Sequence, residues 1–89
     1  MPTYVVSYDL QAPGKDYASL IDYLKSLDNW WHHLGSTWVI VTGLTAAQLR
    51  DGINAHTDGN DKVLVVQSAG VGAWRGFTEK GSQWLKHNL

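Results

Sequence analysis

The chain opens on Tyr4-Val5-Val6-Ser7-Tyr8-Asp9, a β-branched and aromatic run that passes into the turn-rich Gln11-Ala12-Pro13-Gly14. This pattern predicts a strand over Tyr4–Asp9. Tyr17, Leu20, Ile21, Leu24 and Leu27 follow at the spacing of one helix face, which predicts a helix over about Lys15–Leu27. Pro13-Gly14 marks its start, and Asp16 falls in its first turn. Two apolar runs, Trp30–Leu34 and Thr37–Thr42, flank Gly35-Ser36 and read as a hairpin. The first run is the weaker strand and belongs at a sheet edge. Thr45-Ala46-Ala47-Gln48 has the form of a capping box and opens a helix over about Ala46–Ala55. A loop from His56 to Asp61 turns at Asp58-Gly59. The strand Lys62–Ser68 follows, and Gly70 and Gly72 end it. Thr78 can cap a last helix from Glu79 to about His87.

This order predicts an α+β fold, a ferredoxin-like βαββαβ sandwich with an antiparallel sheet and a C-terminal helical extension. Right-handed crossovers put the first and third strands in the middle of the sheet. The chain reads as one domain over 1–89, with 73–89 as an extension that covers the sheet or a dimer partner. One sheet face should be polar if the helices cover only the other. Instead three strands carry apolar residues on both faces. The C-terminal helix, through Trp84, Leu85 and Leu89, can cover part of the second face. A second subunit is expected to cover the rest, as a homodimer or higher homo-oligomer.

Composition narrows the classes. Of 89 residues, 44% are hydrophobic and 17% charged, with seven Lys+Arg against eight Asp+Glu and a net charge of −1. That excludes disorder. There is no cysteine, so neither disulfides nor Cys-based zinc sites hold the fold. No run is long and apolar enough to span a membrane, and Met1–Asp9 lacks signal-peptide features; the expected compartment is the cytoplasm. Arg50, Arg75 and five lysines are too few to coat a long polyanion. Five tryptophans in so short a chain point instead to an aromatic surface. Trp30, Trp31 and Trp38 on the hairpin, with Trp74 and Trp84 near the C-terminus, are expected to border the sheet face left open by the first two helices.

The candidate residues follow from that surface. Tyr8, Trp30 and Trp38 offer aromatic walls. His32 and His33 are neighbours on a strand, so they point to opposite faces and cannot share one metal. Lys15, at the expected start of the first helix, can meet an anion. In Trp74-Arg75-Gly76-Phe77, Arg75 suits a phosphate, and Trp74 and Phe77 offer stacking surfaces. Asp9 ends a strand, where a carboxylate can hold Mg²⁺ through waters or accept hydrogen bonds from its own turn. Asp58-Gly59-Asn60-Asp61 lacks the spacing of a calcium loop.

Val6-Ser7-Tyr8-Asp9-Leu10, Trp30-Trp31-His32-His33-Leu34, Ser36-Thr37-Trp38 and Trp74-Arg75-Gly76-Phe77 together resemble the CRISPR-associated protein two family, and more closely its small SinR-like relatives. The resemblance covers most of the chain and implies a ferredoxin-like fold. It also implies that Asp9 is the metal-binding residue of a Mg-dependent nuclease, with two copies facing across a dimer axis.

The function expected from the residues is nucleotide binding by a small, non-catalytic homo-oligomer that requires no cofactor. By analogy with small phage anti-defence proteins, it would sequester a nucleotide signal in phage–host defence. The alternatives are the Mg-dependent endonuclease, with Asp9 catalytic, and a structural or toxin–antitoxin interaction module. Fold alone does not decide among them.

Overall fold

The structure, a computed structural model, describes residues 1–11 and 17–89. In chain order the elements are β1 (Thr3–Asp9), α1 (Ala18–Lys25), β2 (Asn29–Trp31), β3 (Thr37–Val41), α2 (Ala46–Asn54), β4 (Lys62–Gln67) and α3 (Glu79–Asn88). The strands form one four-stranded antiparallel sheet in the order β2-β3-β1-β4. This arrangement is consistent with the ferredoxin-like α+β class. The expected start of α1 at Lys15, with Asp16 in its first turn, lies outside the described residues.

Strand alternation builds the core. Tyr4, Val6 and Tyr8 of β1, with Trp38 and Ile40 of β3, are buried against Leu20 and Leu24 of α1 and Leu49 and Ile53 of α2. Each such aliphatic side chain contributes about 1.5–3 kcal/mol relative to exposure. The buried polar atoms are satisfied within the core. Tyr4 Oη donates to the Leu44 carbonyl at 2.8 Å, and Trp38 Nε1 donates to Tyr8 Oη at 2.9 Å. An unpaired buried donor would cost about 1–3 kcal/mol.

The capping box forms as expected. Gln48 N donates to Thr45 Oγ1 at 3.1 Å, and Thr45 N donates to Gln48 Oε1 at 2.9 Å. Thr78 caps α3 by accepting from Gly81 N at 3.1 Å. Glu79 in the first turn of α3, and Lys86 with His87 in its last, complement the helix dipole. This helix lies over the β2–β3 half of the second sheet face. Leu85 is buried there with Trp31 and Val39, and Phe77, Trp84 and Leu89 pack around them. At the far end of α3, Thr3 Oγ1 donates to the Asn88 carbonyl at 2.6 Å. The β1–β4 half keeps Leu64 and Val66 exposed, at 61% and 50%. Among the described residues, no helix is long and apolar enough to cross a membrane.

Two expectations need correction. The first hairpin arm, expected over Trp30–Leu34, leaves the ladder after Trp31. His32 stacks on Trp38, with centroids 3.8 Å apart and planes 12° from parallel, and its Nε2 donates to the Gly35 carbonyl at 3.1 Å. The hairpin tryptophans also do not share the open face. Trp38 and Trp30, 5.6 Å apart, lie on the α1–α2 side, and only Trp31 turns toward α3.

The Asp58–Asp61 loop has a structural role. Asp61 Oδ1 accepts from Gln11 N at 2.6 Å; its Oδ2 accepts from Asp58 N at 2.7 Å and from Tyr17 Oη at 3.0 Å. One carboxylate thus ties the end of β1 and the approach to α1 to the loop before β4. Hydrogen bonds to a charged group contribute about 1.5–3 kcal/mol each when buried, and less at this half-buried site. Asp61→Ala is therefore expected to cost about 2 kcal/mol, or roughly 8–16 °C in Tm. Asp61→Asn, which keeps one carbonyl acceptor, should cost about half of that. Thermal melts by circular dichroism check both; an unchanged Asp61→Ala melt would remove the carboxylate from the stability of the loop.

Candidate functional site

The three-residue edge strand β2 lies beside the first turns of α3. β2 has no outer neighbour in the sheet among the described residues, and side chains from both of its faces reach the same groove. Trp31 forms the floor. Its Nε1 donates to the Gly81 carbonyl of α3 at 3.1 Å, and Phe77 meets it edge-on at 4.8 Å. His33 stands over the same indole at 5.0 Å. A Cβ at Gly81 would lie 3.4 Å from the His33 ring, which places the first turn of α3 in contact with the histidine.

Trp84 is fixed from β2. Its Nε1 donates to Asn29 Oδ1 at 3.0 Å, and the same oxygen accepts from Trp30 N at 3.0 Å. Trp30 is 37% exposed on the rim, with Lys25 Nζ 5.4 Å from its ring. Lys80, one turn before Trp84 on the same helix face, completes the wall. The groove encloses about 420 Å³. That falls within the usual range of about 300–1,000 Å³ for small-molecule sites. Among the described residues its lining has one lysine and no carboxylate.

Of the residues expected at a site, Trp30, His32 and His33 line this groove, and Phe77 supports its floor. Tyr8 and Trp38 are instead core residues whose polar atoms bind each other. Their link to the groove is indirect: Trp38 carries the His32 ring. Trp74 and Arg75 are exposed in the segment between β4 and α3 and are not part of the lining. Lys15 lies outside the described residues. Lys80, Gly81 and the floor position of Trp31 are not among the expected site residues, and Trp84, expected as a cover and at the border of the open sheet face, lines the groove. The i, i+4 spacing of Lys80 and Trp84, with a glycine between them, was the available signal.

Asp9 sits elsewhere. It is exposed at the end of β1, two strands from β2, with Lys62 as its cross-strand partner. A hollow of about 240 Å³ lies there, lined partly by Asp9, Lys62 and Leu64. Among the described residues no three His, Asp or Glu are grouped to hold a metal ion. No protein-family model, no curated protein and no solved structure matches this chain, so the resemblance to the CRISPR-associated protein two family stands on its sequence motifs alone.

Proposed function

We propose that this chain is a ferredoxin-like ligand-binding protein whose β2–α3 groove takes a planar anionic ligand of the nucleotide type and holds it unchanged. The groove itself carries the reading: tryptophan walls for a base, with Lys80 beside them and Lys25 at the rim for phosphate. Stacking on an aromatic ring contributes about 1–3 kcal/mol per base. One or two cations suit a short phosphate group, where a long strand would need many. The two imidazoles contact aromatic rings and a backbone carbonyl rather than a hydroxyl or carboxylate partner. That arrangement favours binding over nucleophilic chemistry.

A panel of mono-, di- and cyclic nucleotides, followed by thermal melting and tryptophan fluorescence, tests the reading. Ligand at a hundred times its Kd should stabilise the protein by about 2.7 kcal/mol. Lys80 is exposed, so Lys80→Ala should leave the unliganded melt unchanged and weaken a nucleotide about tenfold. It should leave the matching nucleoside unaffected. Mass spectrometry should return the ligand intact. A panel that moves neither the melt nor the fluorescence at millimolar concentration would refute the proposal.

A further inference from the structure

We infer that β4 is a self-pairing edge, and that a second copy of this chain docks on it antiparallel, in a register centred on Val65. The inference is independent of the groove, which lies at the opposite edge of the sheet.

The two edges of the sheet differ. β2 is three residues long and has α3 beside it, so it offers little to pair with. β4 is six residues long, with no proline and a single lysine at its start. Natural edge strands are usually shortened, covered or charged to prevent pairing, and β4 shows little of this. Its outer side meets no other strand among the described residues.

The ladder shows which backbone groups are free to pair. Ser68 N donates to the Thr3 carbonyl at 2.8 Å, one step beyond the Tyr4–Gln67 pair. Hydrogen-bonding direction alternates along an antiparallel strand. Leu64 and Val66 therefore turn their backbone groups toward β1, while Val63, Val65 and Gln67 turn theirs outward. The side chains alternate too. Val63 and Val65 pack on the helix-side core, and Leu64 and Val66 stand exposed on the other face.

Symmetry then limits the geometry. Two copies of one edge pair antiparallel only about a two-fold axis perpendicular to the sheet. Any two-fold in the sheet plane either makes the strands parallel or turns the edges apart. Both copies' helices thus fall on one side, and the half-faces that α3 leaves bare become neighbours. Centring on Val65 pairs Val65 with itself and Val63 with Gln67, so every outward residue donates and accepts. The same register sets Leu64 against Val66 on the bare face, twice, and keeps Lys62 away from its copy. Centring on Leu64 would set Lys62 against Val66 and leave Gln67 beyond the paired strand. Of these two registers, backbone and side chains favour the one centred on Val65.

Amide exchange by NMR, combined with light scattering, tests this on the intact chain. Leu64 and Val66 amides should be protected at every concentration, because β1 holds them. Val63, Val65 and Gln67 amides should exchange at least about tenfold more slowly at millimolar than at low micromolar protein. The mass should plateau at twice the chain mass. Gln67→Pro removes one outward N–H at an exposed strand end where proline is tolerated; it should restore the monomer. If that variant fails to fold, the exchange pattern of the unaltered chain still decides. A monomeric mass at millimolar protein, outward amides that exchange as fast as loop amides, or growth without a plateau would overturn the inference. So would a dimer broken by Val66→Lys but indifferent to Gln67→Pro, which would place the contact on the sheet face.

Discussion

Trp38→Ala is expected to cost about 4–6 kcal/mol. Trp38 is fully buried, stacked under His32, and bonded through Nε1 to Tyr8 Oη. Removing the indole opens a cavity, at about 3–5 kcal/mol for a buried tryptophan. It also leaves the Tyr8 hydroxyl without its partner, at about 1 kcal/mol or more. A domain of 89 residues has a total stability of only about 4–13 kcal/mol. Trp38→Ala should therefore lower Tm by roughly 20–40 °C or leave the chain largely unfolded. Urea unfolding measures the cost. A double-mutant cycle of Trp38→Phe with Tyr8→Phe isolates the hydrogen bond. Each single change strands one partner, so the pair should cost less than the sum, by about 1 kcal/mol. A Trp38→Ala melt within a few degrees of the unaltered protein would remove Trp38 from the core. The substitution should also loosen His32, and with it one wall of the groove.

That coupling shows where the sequence was legible and where it stopped. Local signals read correctly. The Thr45–Gln48 capping box, the Thr78 cap and the alternation that separates Trp38 and Ile40 from Val39 all depend on neighbours in sequence. The faces of the tryptophans were harder to assign. Alternation says that Trp30 and Trp31 point apart, but not which of them meets the helices. The ladder settles that: Val6 pairs with Trp38 on the face shared with Leu20 and Leu24, and Trp30 pairs with Ile40 of that same face, which leaves Trp31 with Val39 on the other. The groove was less legible still. Trp84 and Asn29 are distant in sequence, and their hydrogen bond exists only once α3 lies beside β2. The half-covered second face follows from the same placement. A single ten-residue helix reaches over β2 and β3, and Leu64 and Val66 of β4 stay exposed.

Gly52→Ala is the second large effect, and its sign runs against helix propensity. In a helix interior, alanine is ordinarily better than glycine by about 0.5–1 kcal/mol. Gly52 lies within α2, where that gain would be expected. Tyr23 of α1, however, rests its ring on this glycine. A Cβ at position 52 would lie 2.5 Å from Tyr23 Cζ and 3.2 Å from Cε2, and would overlap the hydroxyl oxygen. The ring cannot withdraw freely, because it stacks on His56 with centroids 5.2 Å apart. The substitution must therefore spread the α1–α2 contact or expel the tyrosine. Overpacking of this kind costs about 1–3 kcal/mol, which outweighs the propensity gain. The expected net loss is about 1–2 kcal/mol, or roughly 4–16 °C in Tm. In a Tyr23→Ala background the obstacle is gone, and Gly52→Ala should stabilise by the ordinary helix increment. A reversal of sign between the two backgrounds is the decisive result; a stabilising Gly52→Ala in the unaltered protein would show that Tyr23 does not need this space. The phenol reports on the same contact. Burial raises the Tyr23 pKa above its ordinary 10.0, so its native form gives up the proton later than the unfolded chain does. If Gly52→Ala expels the ring, the Tyr23 titration should move back toward the ordinary value, and the loss of stability that accompanies rising alkalinity should shrink with it.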